Sequence, residues 1–78
     1  MQAKKVSEDP DLLLSQIGLR VMKRRQELGL TQKELGDRLG ITSTNIYRIE
    51  YGQQNLTVRT LIKLAEALDT TAADLFVG

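Results

Sequence analysis

The most constraining feature of the sequence is a pair of short helix patterns on either side of Gly40. Thr31 and Glu34 have the spacing of a capping box, in which a hydroxyl and a carboxylate each accept a hydrogen bond from a free backbone N–H. Thr42 supplies a second capping hydroxyl just beyond Gly40, and glycine is favoured where a turn requires a positive φ. The pattern therefore predicts two helices joined by a tight turn, helix 2 over 32–39 and helix 3 over about 43–51.

Each of these two predicted helices has an apolar side and a polar side. The apolar residues recur at helical spacing and are expected to meet inside the corner: Leu35, Leu39, Ile41, Ile46 and Ile49. Gly36 predicts a close crossing of the two helices, because any larger side chain there would push them apart. The outward residues of helix 3 are polar and none is acidic: Ser43, Thr44, Asn45, Tyr47 and Arg48.

The other helices follow from capping residues and apolar spacing. Asp9 and Pro10 predict the start of helix 1, because proline at the first helical position loses no hydrogen bond. This helix is expected to extend to about Leu28 and to end at Gly29 as a left-handed cap. Thr57 is expected to cap helix 4, and a short helix 5 follows near the C-terminus.

The length and patterning of the chain predict one all-α domain. Seventy-eight residues leave room for a single domain, and no segment alternates apolar and polar residues as a half-buried strand does. We therefore predict five helices in a domain over residues 9–78, preceded by a flexible polar segment over 1–8.

Composition argues against catalysis and metal binding. The chain has no Cys and no His, so thiolate ligands, the commonest metal ligand and the usual general acid or base are missing. We predict no enzymatic activity, no cofactor and no metal. No apolar run approaches the roughly 18 residues of a membrane span, so a cytoplasmic protein without membrane contact is expected.

The basic residues are concentrated in the middle of the chain. The net charge is only +1, yet residues 20–63 contain nine basic and four acidic residues, and most other acids lie near the ends. A basic centre fits a surface that faces phosphates. A short helix, a tight turn and a second helix whose outward residues include no acid together favour double-stranded DNA as the partner, with helix 3 in the major groove.

The stretch from Arg24 to Gly52 resembles the Cro/repressor-type, or XRE, helix-turn-helix family. The resemblance extends over about residues 17–76, and its most specific parts are "GLTQKEL", "LGIT", "IYRIEYG" and the later "LIKLAEAL" and "DLF". It implies a lambda-repressor-like five-helix domain that regulates transcription as a dimer on a two-fold operator, similar to phage-type repressors and restriction–modification controller proteins. Two residues depart from the family pattern, since Gly36 replaces the usual Ala and Asp69 the common Gly.

Residue chemistry and the resemblance together suggest which side chains meet DNA. Candidate base contacts are Ser43, Thr44, Asn45 and Arg48, because arginine pairs with guanine and an amide with adenine. For Asn45 and Arg48, a contact with the DNA backbone is the alternative. For Arg48, an ion pair with Glu27 or Asp37 is a further alternative. Candidate phosphate contacts are Arg24, Gln32, Thr42, Tyr47, Gln53, Asn55 and Thr57.

The resemblance also implies structural and assembly roles. The matching family residues form a partly buried ion pair between helices 1 and 3, which places Arg25 and Glu50 in that role here. Leu75, Phe76 and Val77 add apolar bulk at the C-terminus and are expected to form a homodimer interface, although Leu75 or Phe76 is needed in the core.

Other functions remain open at this point. The same scaffold serves as the antitoxin of a toxin–antitoxin pair or as a protein-interaction module. The surface around Glu34 and Asp37 is a candidate contact for RNA polymerase.

Overall fold

The computed structural model describes residues 9–77, which form five α-helices and, within that range, no strand. The helices are α1 (Pro10–Glu27), α2 (Gln32–Leu39), α3 (Ser43–Glu50), α4 (Val58–Ala67) and α5 (Ala72–Val77). The all-α prediction with five helices is confirmed. The segment 1–8 that was expected to be flexible lies outside the described residues, as does Gly78.

Capping residues set the helix boundaries much as the sequence indicates. Thr31 Oγ1 accepts a hydrogen bond from the Glu34 N–H at 3.0 Å, and Glu34 Oε1 accepts one from the Thr31 N–H at 2.9 Å. The hydrogen bonds from the Thr31 backbone and side chain lower the pKa of Glu34. The predicted C-terminal ends of helices 1 and 3 were one residue too late. Leu28 and Tyr51 are the C-caps of α1 and α3 rather than their last helical residues.

One apolar core joins all five helices. Leu75 belongs to it with only 2% of its surface exposed, so it is not available to a dimer interface, and that part of the prediction was wrong. The reason is that α5 packs against both α1 and α4 and directs Leu75 inward. The buried apolar residues are Ile17, Val21, Leu35, Ile46, Ile49, Leu61, Leu64, Ala65, Leu68 and Leu75.

Two glycines permit close backbone contacts. Gly18 in α1 lies against the carbonyl oxygens of Ile49 and Glu50, so a β-carbon there would overlap α3. The sequence pattern did not predict this contact. Gly36 was expected to allow a close approach of helix 3. Its nearest neighbour is instead the turn between α2 and α3, because a β-carbon at Gly36 would lie 2.5 Å from the Ile41 carbonyl oxygen.

Arginines bind the free carbonyls at the end of α4. Arg24 donates from Nε to the Leu68 carbonyl at 2.8 Å and from Nη2 to the Asp69 carbonyl at 3.2 Å, and Arg38 Nη1 donates to the Ala67 carbonyl at 2.9 Å. The negative end of a helix dipole attracts such cations. Arg24 was a predicted phosphate contact, and in this structure its guanidinium is bound at this helix end instead.

Asp69 adopts the left-handed backbone conformation at the end of α4, with φ of 54°. Replacing Asp69 by glycine is expected to raise the free energy of unfolding by about 0.5 kcal/mol, because relief of the strained φ outweighs the extra entropy of glycine in the unfolded chain. The change keeps the Asp69 carbonyl that Arg24 binds. Urea unfolding followed by circular dichroism measures the difference.

The reverse substitution, Gly29→Asp, is the matched control. Gly29 has a φ of 69° and open space around its missing β-carbon, so the change adds backbone strain and a carboxylate at a helix C-terminus, as Asp69 does at the end of α4, and a loss of similar size is expected. A lower urea midpoint for Asp69→Gly would mean that the aspartate side chain stabilises the turn by more than its strain costs.

No helix formed by residues 9–77 is both long enough and apolar enough to cross a membrane.

Candidate nucleic-acid interface

The exposed side of α3 is the candidate interface. Thr42 caps the helix, with its Oγ1 accepting the Asn45 N–H at 3.1 Å, so its hydroxyl already has a structural role. Ile46 and Ile49 face the core, whereas the sequence-predicted contacts on the opposite side reach solvent. The exposed polar residues of this side are Ser43, Thr44 and Arg48, and Asn45 is half-buried at its edge.

Arg48 is the one basic side chain of α3, and its guanidinium has no ion pair within residues 9–77. Both acidic residues considered as partners for it pair with other side chains. Glu27 pairs with Arg24 at 3.4 Å, and Asp37 pairs with Lys33 at 3.1 Å. Arg48 therefore keeps all of its donors for a ligand.

A buried ion pair fixes the orientation of α3 relative to α1. Arg25 Nε donates to Glu50 Oε2 at 2.6 Å and Arg25 Nη2 donates to Oε1 at 3.1 Å, while Nη1 donates to the Leu30 carbonyl at 2.8 Å. The Glu50 side chain is fully buried. Its hydrogen bond raises the pKa of Arg25, although burial alone would lower it, so the guanidinium stays charged. The structure thus places together the two residues for which the resemblance implies a pair.

Gln32 joins this buried cluster. Its Nε2 donates to Glu50 Oε1 at 3.0 Å, which completes the hydrogen bonding of that oxygen. The Gln32 amide was expected to contact a phosphate, but one of its donors is committed to Glu50. The backbone N–H groups at the start of α2 remain a suitable position for a phosphate oxygen.

Two tyrosines form an aromatic pair beside the outward face of α3. The rings of Tyr47 and Tyr51 have centroids 4.5 Å apart and planes inclined by 34°, and both residues are exposed. Tyr47 was a predicted phosphate contact, with shielding of the core edge as the alternative, and its exposure favours a contact with solvent or ligand. Tyr51 was overlooked, although its i, i+4 spacing from Tyr47 was a usable signal.

The loop after α3 carries the remaining predicted phosphate contacts. Gln53 and Asn55 are exposed, and they border a shallow depression that Asp11 of α1 also lines. Thr57 Oγ1 accepts the Thr60 N–H at 3.0 Å and contacts Thr60 Oγ1 at the same distance. The loop therefore offers neutral amides to a phosphate, while the Asp11 carboxylate disfavours an anion on its α1 side.

Among residues 9–77, no group of three or more acidic, histidine or cysteine side chains is placed to hold a metal ion.

Comparison with known proteins assigns the fold and the family. A family profile described as "Helix-turn-helix" matches residues 21–75. The HTH-type transcriptional regulator y4dJ of Sinorhizobium fredii, itself uncharacterized, is 37% identical over 59 residues, which span 76% of this chain and 77% of that protein.

Solved structures share the same architecture. The restriction–modification controller protein C.AhdI from Aeromonas hydrophila superimposes with a TM-score of 0.76 and 33% identity, over 81% of this chain and 96% of that one. The hypothetical transcription factor NHTF from Neisseria superimposes with a TM-score of 0.80, over 97% and 87% of the two chains. At 22% identity the latter similarity shows the fold alone.

Proposed function

Because the chain belongs to the helix-turn-helix family of DNA-binding transcriptional regulators, we propose that it recognises a specific double-stranded DNA sequence with α3 in the major groove. The observation that carries this proposal is the outward face of α3, which is exposed, free of acidic side chains and holds Arg48, a side chain with no ion pair in the part of the chain that the structure describes. A protein-interaction module would not require such a face.

The proposed contacts divide by chemistry. Ser43, Thr44 and Arg48 contact base edges, and Asn45 contacts either a base or the backbone at the edge of the face. Phosphates are bound by the cap of α3, the aromatic pair, the following loop and the first turn of α2. These residues are Thr42, Tyr47, Tyr51, Gln53, Asn55, Thr57 and Gln32.

We also propose a homodimer on a two-fold operator. Phe76 and Val77 are 46% and 70% exposed at the end of α5, which supports them as part of the interface. Two copies of α3 would then contact half-sites about 34 Å apart, one turn of DNA.

A contact with RNA polymerase through Glu34 and Asp37 is the less favoured proposal. The Glu34 carboxylate caps α2, and the Asp37 carboxylate pairs with Lys33.

Selection of duplexes from a random library, followed by binding at two salt concentrations, tests the proposal. Recovery of a site with two-fold symmetry, bound far more tightly than random DNA at both salt concentrations, is the expected result. Binding without sequence preference would contradict sequence recognition, and it would direct attention to a protein partner instead.

Replacement of Arg48 by alanine is expected to weaken binding to the selected site by about 1–3 kcal/mol per half-site. The variant should also lose its preference for guanine at one base position of each half-site. Lys23→Ala is the matched control, since it removes one positive charge from an exposed side chain that lies beside the turn between α4 and α5. Equal losses on specific and random DNA would reassign Arg48 to a phosphate.

A further inference from the structure

Helix α4 exposes apolar residues that its packing in the domain does not use. Leu61 and Leu64 face the core, whereas Val58 and Ile62, four residues apart, are 72% and 45% exposed. Apolar side chains at this spacing form one stripe along a helix. A stripe of this kind on a small domain is typical of an interaction surface.

Charged residues accompany this stripe in an ordered way. Arg59, Ile62 and Glu66 are separated by three and four residues, so they lie along one face of α4. Arg59 and Glu66 are both exposed, and neither has an ion pair within residues 9–77. The face therefore presents one positive and one negative charge on opposite sides of an apolar centre.

Such a face is complementary to itself. If two copies of α4 pack antiparallel about a two-fold axis beside Ile62, Arg59 of each copy lies opposite Glu66 of the other, because the two residues lie at nearly equal distances from the centre. The two isoleucines then meet at the axis, and two ion pairs of opposite direction flank them. Lys63 lies to one side, where its long side chain can reach solvent.

We propose that this face of α4, formed by Val58, Arg59, Ile62 and Glu66, is the centre of the homodimer interface, with a second copy of the chain as its occupant. The inference rests on the proposed dimeric function and specifies its surface. The exposed apolar residues of α5 extend it, because α5 packs against α4 and carries Phe76 and Val77. Self-complementary charge favours a second copy over another protein, which would need a charge pattern of its own to match.

Two charge reversals and their mixture test the proposal. Arg59→Glu leaves two negative charges on the face and Glu66→Arg leaves two positive ones, so each homodimer gains two repulsive pairs. Sedimentation velocity without DNA is expected to show the dimer weakened by about tenfold or more in each variant. An equimolar mixture should dimerise like the wild type, because the two carboxylates of the first variant then lie opposite the two guanidinium groups of the second.

Circular dichroism should show both variants folded, and Lys23→Glu on α1 serves as a charge-reversal control that leaves the dimer intact. If the wild type dimerises and neither reversal weakens the dimer, the α4 interface is overturned while the dimer itself stands. The same conclusion follows if the mixture of the two variants does not regain wild-type dimerisation. A monomeric wild type at all concentrations would overturn both the interface and the dimer. Sequence recognition by α3 would still be decided separately by the duplex selection.

Discussion

Replacement of Arg25 by methionine is expected to lower the free energy of unfolding by about 3–5 kcal/mol. The change removes both guanidinium bonds from the Glu50 carboxylate, whose side chain is fully buried, and leaves Gln32 as its remaining hydrogen-bond partner. A domain of this size is stable by only about 5–15 kcal/mol, so the loss should remove a large share of its stability and lower its thermal midpoint clearly. Urea unfolding and thermal denaturation measure the loss.

Two further variants identify the cause. Arg24→Met removes a neighbouring guanidinium that binds carbonyl oxygens near the surface, and it should cost only about 1 kcal/mol. The double variant Arg25→Met with Glu50→Leu should recover much of the lost stability, because no buried charge remains unpaired. If the double variant is no more stable than Arg25→Met alone, side-chain packing rather than the stranded carboxylate explains the loss.

Replacement of Gly18 by alanine is expected to lower the free energy of unfolding by about 2–3 kcal/mol. A methyl group at this position would overlap the carbonyl oxygens of Ile49 and Glu50, and neither backbone atom can move without shifting α3. Alanine favours a helix over glycine by only about 0.5–1 kcal/mol, so the overlap dominates. Urea unfolding gives the stability, and binding to the selected duplex shows how far α3 has moved.

Gly36→Ala is the natural comparison, since it also adds one methyl group to a buried helical glycine. Its contact is with the Ile41 carbonyl oxygen at 2.5 Å, in a turn between two helices rather than within a packed helix. A turn can open more easily than a helix can shift, so a smaller loss is expected. A larger loss for Gly36→Ala than for Gly18→Ala would show that the α2–α3 corner is the more rigid contact.

Both predictions concern the junction of α1 and α3, where the orientation of the candidate DNA-binding helix is set. The Arg25–Glu50 pair ties the two helices electrostatically, and Gly18 lets their backbones meet. A regulator that places a few side chains against base edges depends on such a rigid support, because small displacements break the hydrogen bonds that distinguish bases.

The sequence by itself determined the local features of this protein. The Thr31–Glu34 capping box, the left-handed Gly40 and the threonine caps of α3 and α4 act within a few residues, so their spacing sufficed to predict the helices. The apolar and polar sides of α3 followed from helical periodicity in the same way. These features require no knowledge of how the helices pack.

Only the tertiary structure decided which side chains are free. Arg24 and Arg48 look equally available in the sequence, yet one guanidinium binds the carbonyls at the end of α4 and the other has no ion pair within the described chain. Leu75 and Phe76 are neighbours, yet packing against α1 and α4 buries the first and exposes the second. Burial and hydrogen-bond partners come from residues distant in the chain, and local spacing does not contain them.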